Sequence, residues 1–81
     1  MNELSIEIYD AAFGEDDFVD SFPFDGALDK IDLELALRRY ASEVGEDVFG
    51  SKLSEDEIEN AASDLAVKME AWIDGFRLVV V

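Results

Sequence analysis

SEDEIENAASDLAVKMEAWIDGFRLVVV, residues 54–81, decides how many helices and strands this chain can build. It opens on a helix-start signature. Ser54 and Glu57 form a capping box, and Leu53 and Ile58 stand where a hydrophobic staple belongs. Ile58, Ala61, Ala62, Leu65, Met69, Trp72 and Ile73 then recur on one helical face. The spacing predicts a helix over about 55–74, stopped by Gly75. FRLVVV, residues 76–81, is rich in β-branched residues and reads as a buried strand.

Towards the N-terminus the period changes from 3.6 to 2. In ELSIEIY, residues 3–9, Leu4, Ile6 and Ile8 point one way and Glu3, Ser5, Glu7 and Tyr9 the other. That is a strand with one wet face. Residues 10–16 read as a turn. In DFVDSFPF, residues 17–24, Phe18, Phe22 and Phe24 share a parity that Asp20 interrupts. Pro23 confines any strand here to a sheet edge, so an irregular edge strand hairpinned to the first is expected.

Leu33, Leu37, Tyr40 and Val44, with Ala36 and Ala41, predict a helix over about 32–44, capped by Asp29 or Asp32 and closed by Gly45. Ile31, Leu33, Leu35 and Leu37 also alternate as a strand would, but the continuation through Tyr40 and Val44 favours helix. EDVFGSKL, residues 46–53, is the connection. The expected fold is α+β: one domain over 1–81, with a two- or three-stranded antiparallel sheet and two antiparallel helices on one face.

Composition narrows function by exclusion. A chain of 81 residues has room for one thin core, and its 49% hydrophobic content predicts that it folds. It has no 18-residue apolar run, and MNELSIEIYD lacks a basic n-region, so a cytoplasmic protein without membrane span or signal peptide is expected. There is no cysteine, hence no disulfide and no thiolate metal ligand. There is no histidine, so the commonest general base and metal ligand are missing and no serine has an imidazole to activate it. A non-enzymatic protein without cofactor is expected.

Charge is the outlier. Asp plus Glu number 21 against 6 Lys plus Arg, a net −15. The first 29 residues hold nine acids (Glu3, Glu7, Asp10, Glu15, Asp16, Asp17, Asp20, Asp25 and Asp29) and no basic residue. Glu34–Arg38 and Asp64–Lys68 are spaced to pair along helices, which leaves most of the acid uncompensated.

Known carboxylate chemistries do not fit. An EF-hand loop needs Gly at its sixth position and Glu at its twelfth; starting from Asp16 these are Ser21 and Ala27. Pairs of acids for glycoside hydrolysis carry no specificity among so many. Asp20-Ser21-Phe22 resembles the Asp-Ser-Leu of acyl carrier proteins over three residues, but Pro23 follows, and strands such as ELSIEIY do not belong to that all-helical fold. Phe13, Phe18, Phe22, Phe24, Phe49, Phe76 and Trp72 are read chiefly as core, with Phe13 and one of Phe22 or Phe24 as candidates for exposure.

A globule of this length spans roughly 30 Å, over which duplex DNA carries about 18 charges, comparable with the chain's −15. In size and acidity the chain resembles the phage and mobile-element DNA mimics, among them anti-CRISPR and anti-restriction proteins. That resemblance implies a non-enzymatic inhibitor that occupies a basic nucleic-acid-binding surface of a partner, such as a CRISPR effector subunit. The surplus charge disfavours direct DNA or RNA binding. Candidate contact residues are Glu15, Asp16, Asp17, Asp20 and Asp25, with Glu46 and Asp47 between the helices and Glu55, Asp56 and Glu59 opening the second helix. Two alternatives remain open: an immunity- or antitoxin-like interaction module, and a salt-adapted acidic domain without mimicry.

Overall fold

The computed structural model describes residues 4–50 and 53–81. Glu3 of the first strand pattern and residues 51–52 of the connection lie outside the described residues. The chain runs β1 (Leu4–Asp10), β2 (Asp17–Phe24), α1 (Lys30–Tyr40), a π-helical turn (Ala41–Gly45), α2 (Glu46–Phe49), α3 (Glu55–Lys68), β3 (Glu70–Ile73) and β4 (Phe76–Val80). The strands form one antiparallel sheet in the order β2-β1-β4-β3. α1 and α3 pack against each other on one of its faces.

The sheet has four strands where two or three were expected, and the extra one comes from the opening stretch. α3 ends at Lys68, not near residue 74, because Met69 turns into the left-handed region at φ 60. Residues 70–73 then extend, burying Ala71 and Ile73 and turning Trp72 to solvent. The cause is Asp74-Gly75. Both have positive φ, 47 and 87, as a tight two-residue hairpin of the type I′ class requires, and they join Ile73 to Phe76.

The first helical segment also differs from expectation. Gly45 does not end it; the residue is buried with helical φ −57, and a Cβ there would come within 3.3 Å of the Ala41 Cβ. The helix continues through the π turn to Phe49, and Gly50, at φ 77, closes it. At its start the Asp29 carboxylate accepts from the Asp32 N–H at 2.9 Å. The capping box of α3 forms in both directions, at 3.0 and 3.2 Å.

The core lies between the helices and one sheet face. It joins Ile6, Ile8, Leu78 and Val80 of the central strands to Leu33, Leu37, Ile58 and Leu65 of the helices. β2 is the expected irregular edge strand, with a bulge where its pairing shifts between Ile8 and Tyr9. That bulge splits the phenylalanine parity. Phe24 is buried and Phe22 stacks on Tyr40 at 4.4 Å, while Phe18 is thrown to the open face against Tyr9, with ring centroids 5.7 Å apart.

Candidate functional site

Both hairpin turns fall at one end of the sheet. The Ala11 N–H donates to the Gly75 carbonyl at 3.0 Å, which ties the broad β1–β2 turn to the tight β3–β4 turn. This end gathers Asp10, Glu15, Asp16, Asp17 and Asp74. Phe13 stands among them at 95% exposure. An aromatic ring in water surrounded by carboxylates is the geometry of an anchor with a charged rim.

Arg77 is the cation beside this cluster. It extends over the open face of the sheet, where its Nε donates to Glu70 at 2.7 Å and its Nη1 to Asp16 at 3.0 Å. The bond to Glu70, more than its other neighbours, holds the guanidinium pKa above its ordinary value. Tyr9 and Trp72 flank Arg77 in register, and Phe18 lies beyond Tyr9, so an aromatic row crosses the open face. The Tyr9 hydroxyl donates to Glu7 at 2.7 Å, and that bond raises its pKa. Trp72 and Phe18, read chiefly as core from the sequence, are 54% and 58% exposed.

The candidate acids do not form one band. Glu15, Asp16 and Asp17 lie together at the turn end. Asp25 follows the far end of β2, eight residues on, which is about 26 Å along a strand. It lines a groove of about 980 Å³ between the β2 edge and α1, with Phe22, Pro23, Leu35 and Arg39. Asp20 points to the helix side and accepts from the Tyr40 hydroxyl at 2.9 Å.

Glu46 and Asp47 of α2, with Glu43 and Glu55, line a second depression of about 570 Å³ that also contains Arg38. α2 sits over the turn end, because Phe49 packs edge-on against Phe76, which pairs with Asp10. Glu55 and Glu59 are engaged, Glu55 with Arg38 at 2.6 Å and Glu59 with Lys30 at 3.1 Å, whereas Asp56 is exposed on the first turn of α3. Arg38 also holds Glu34 as the spacing predicts; among the described residues Asp64 and Lys68 make no such pair.

Asp10 and Asp74 join the cluster without having been singled out from the sequence. The Asp-Gly hairpin signal was the clue that would have placed Asp74 there. Ser21 lies exposed in mid-strand opposite Glu7, not at a helix start as in a carrier protein. Among the described residues no group of three or more carboxylates converges to hold a metal ion. No described helix is long and apolar enough to cross a membrane. Comparison with family models, with curated proteins and with solved structures finds no match for this chain.

Proposed function

We propose that this protein is a non-enzymatic inhibitor that occupies a basic nucleic-acid-binding surface of a partner protein, with the turn end of the sheet leading. The most specific form of this reading is a phage anti-defence protein, foremost an anti-CRISPR protein acting in the host cytoplasm. The observation that carries it is the gathering of Asp10, Glu15, Asp16, Asp17 and Asp74 at one end, around exposed Phe13. Carboxylates placed this way accept hydrogen bonds from Arg and Lys as phosphate oxygens do. The molecule is 34 Å long, and duplex DNA presents about 20 charges over that length, the order of the chain's −15.

The test is inhibition of DNA binding by purified CRISPR effector complexes, read by gel shift. Wild-type protein is expected to release the duplex, and excess duplex is expected to displace the protein. Glu15→Lys/Asp16→Lys/Asp17→Lys should weaken inhibition by roughly 100-fold, about three charge-assisted contacts of modest strength. Unchanged inhibition by the triple variant sinks the reading.

The immunity- or antitoxin-like module is the second reading, and Phe13 favours it. A fully exposed ring inside an acidic rim suits an anchor that enters a pocket on a basic protein. In that case the complex forms but duplex DNA does not compete for it.

A further inference from the structure

α1 has two apolar faces. Leu33, Leu37 and Tyr40 enter the core. Ile31 and Leu35 sit on the opposite side, about 160° and 200° around the helix from Leu33, and are 72% and 62% exposed. They explain why the sequence over 31–37 alternates like a strand: half of its apolar residues serve the core and half face water. Two large exposed aliphatics one turn apart make a ridge able to pack on another helix.

The charge carried by α1 itself differs from that of α3, although the groove beside Leu35 also brings in Asp25 and Glu43. α1 carries three basic residues (Lys30, Arg38 and Arg39) and two acids (Asp32 and Glu34), whereas α3 carries five acids and one lysine. Two copies at −15 each repel, so they meet most readily along the element that carries the most basic residues, α1. The polarity along α1 is also ordered. Asp29 and Asp32 mark its start, Arg38 and Arg39 its last turn.

We propose that the outer face of α1 is a homodimer interface, in which two copies pack this helix antiparallel about a two-fold axis at Leu35. Such symmetry sets each flank of the helix against the same flank of the other copy, run in reverse. Leu35 then meets its counterpart, and Ile31, one turn away, packs beside the Leu35 of the second copy. Arg39 lies four residues past the axis on the flank that carries Asp32, so it comes opposite Asp32 of the second copy, and the pair is made twice. Among the described residues Arg39 has no ion-pair partner within its own chain. Antiparallel helix dipoles also oppose favourably. α1 is about 16 Å long, so the interface falls below the standard size and binds weakly, in the micromolar to millimolar range. The dimer presents two acidic turn ends, which makes it bivalent towards a basic partner.

Sedimentation velocity across a concentration series from about 5 µM to about 1 mM tests this. The full chain is expected to pass from monomer to dimer. Leu35→Glu should weaken dimerisation at least tenfold, roughly the loss of a central apolar contact, with the circular dichroism and melting temperature unchanged. Arg39→Glu should weaken it several-fold through repulsion from Asp32. Glu15→Lys/Asp16→Lys/Asp17→Lys should still dimerise, which separates this interface from the inhibitory surface. A monomer mass throughout overturns the proposal and leaves the ridge to a different partner. A dimer indifferent to Leu35→Glu or to Arg39→Glu overturns it equally.

Discussion

The helix layer and the turn end of the sheet use carboxylates in opposite ways. Among the described residues many acids on the helices are absorbed into structure, though Asp56 and Asp64 are not: Asp29 caps α1, Glu57 closes the capping box of α3, and Glu34, Glu55 and Glu59 hold Arg38 or Lys30. At the turn end Asp10, Glu15, Asp16, Asp17 and Asp74 share the neighbourhood of one arginine, and the nearest large apolar side chain, Phe13, lies in water. Most acids that stabilise thus lie on the helix layer and most of those at the turn end are available to a partner, with Asp16, held by Arg77, the exception there. Variants in the first region should change stability and those in the second should change binding.

The sharpest break in that comparison comes from the core under α1. Leu37 is 1% exposed within the core. Leu37→Ala is expected to cost about 2–5 kcal/mol, removing apolar contacts and leaving a cavity. In a domain of this size that lowers the melting temperature by roughly 10 °C or more in a calorimetric scan. The triple lysine substitution at residues 15–17 removes the partly exposed Asp16–Arg77 pair, worth at most about 1 kcal/mol, but relieves repulsion among neighbouring acids, so it should change the melting temperature far less than Leu37→Ala. A triple variant that melted as early as Leu37→Ala would show the turn end to be part of the fold.

Asp20 stands on the border between the two regions, and its partner makes the border measurable by pH. Burial first, and the bond to Asp20 second, push the Tyr40 phenol well above its usual pKa. The unfolded chain therefore ionises this tyrosine before the folded one. Stability from this source is complete below about pH 10 and is lost as pH rises beyond it. Denaturant melts are expected to superimpose from pH 7 to about 9 and to weaken above about 10. Tyr40→Phe should cost about 1 kcal/mol at neutral pH and flatten the alkaline decline, leaving the smaller share from Tyr9, whose pKa is raised in the same direction. A decline equally steep without the Tyr40 hydroxyl would assign it elsewhere.

The parts legible in sequence were those whose signal is local and chemical. The alternation of Leu4, Ile6 and Ile8, the Ser54–Glu57 box and the Leu33–Leu37–Tyr40 stripe each describe one element, and each formed. What misled was a pattern compatible with two periods. Leu65, Met69, Trp72 and Ile73 keep helical spacing, yet Ala71 and Ile73 keep strand spacing, and pairing with β4 decides between them. No glycine marks the end of α3; Met69 takes the left-handed conformation itself. Asp74-Gly75 held the correct answer, because a dipeptide suited to a tight hairpin implies a strand on both sides. At the candidate site, the sequence gathered Glu15, Asp16 and Asp17 by adjacency. Asp10 and Asp74 joined them only through the sheet, where strand ends distant in the chain become neighbours. The bulge in β2 was equally hidden, and it is what turns Phe18 outward.

Phe13 gives the smallest effect on the fold and the finest test of the contrast. It packs on nothing that burial could reward, at 95% exposure on the tip of the β1–β2 turn, and the turn's positive φ is taken by Gly14. Phe13→Ser should therefore shift stability by no more than about 0.5 kcal/mol, within the range of exposed surface positions. If the ring is an anchor, the same substitution should weaken the partner complex by tenfold or more, since aromatic side chains seated in a pocket dominate such interfaces. Loss of binding without loss of stability would assign Phe13 to the partner. Loss of both would show that the ring folds back onto the sheet in solution. Loss of neither would leave the carboxylates alone to account for recognition, and the mimicry of phosphate would then have to be carried by charge without any apolar anchor.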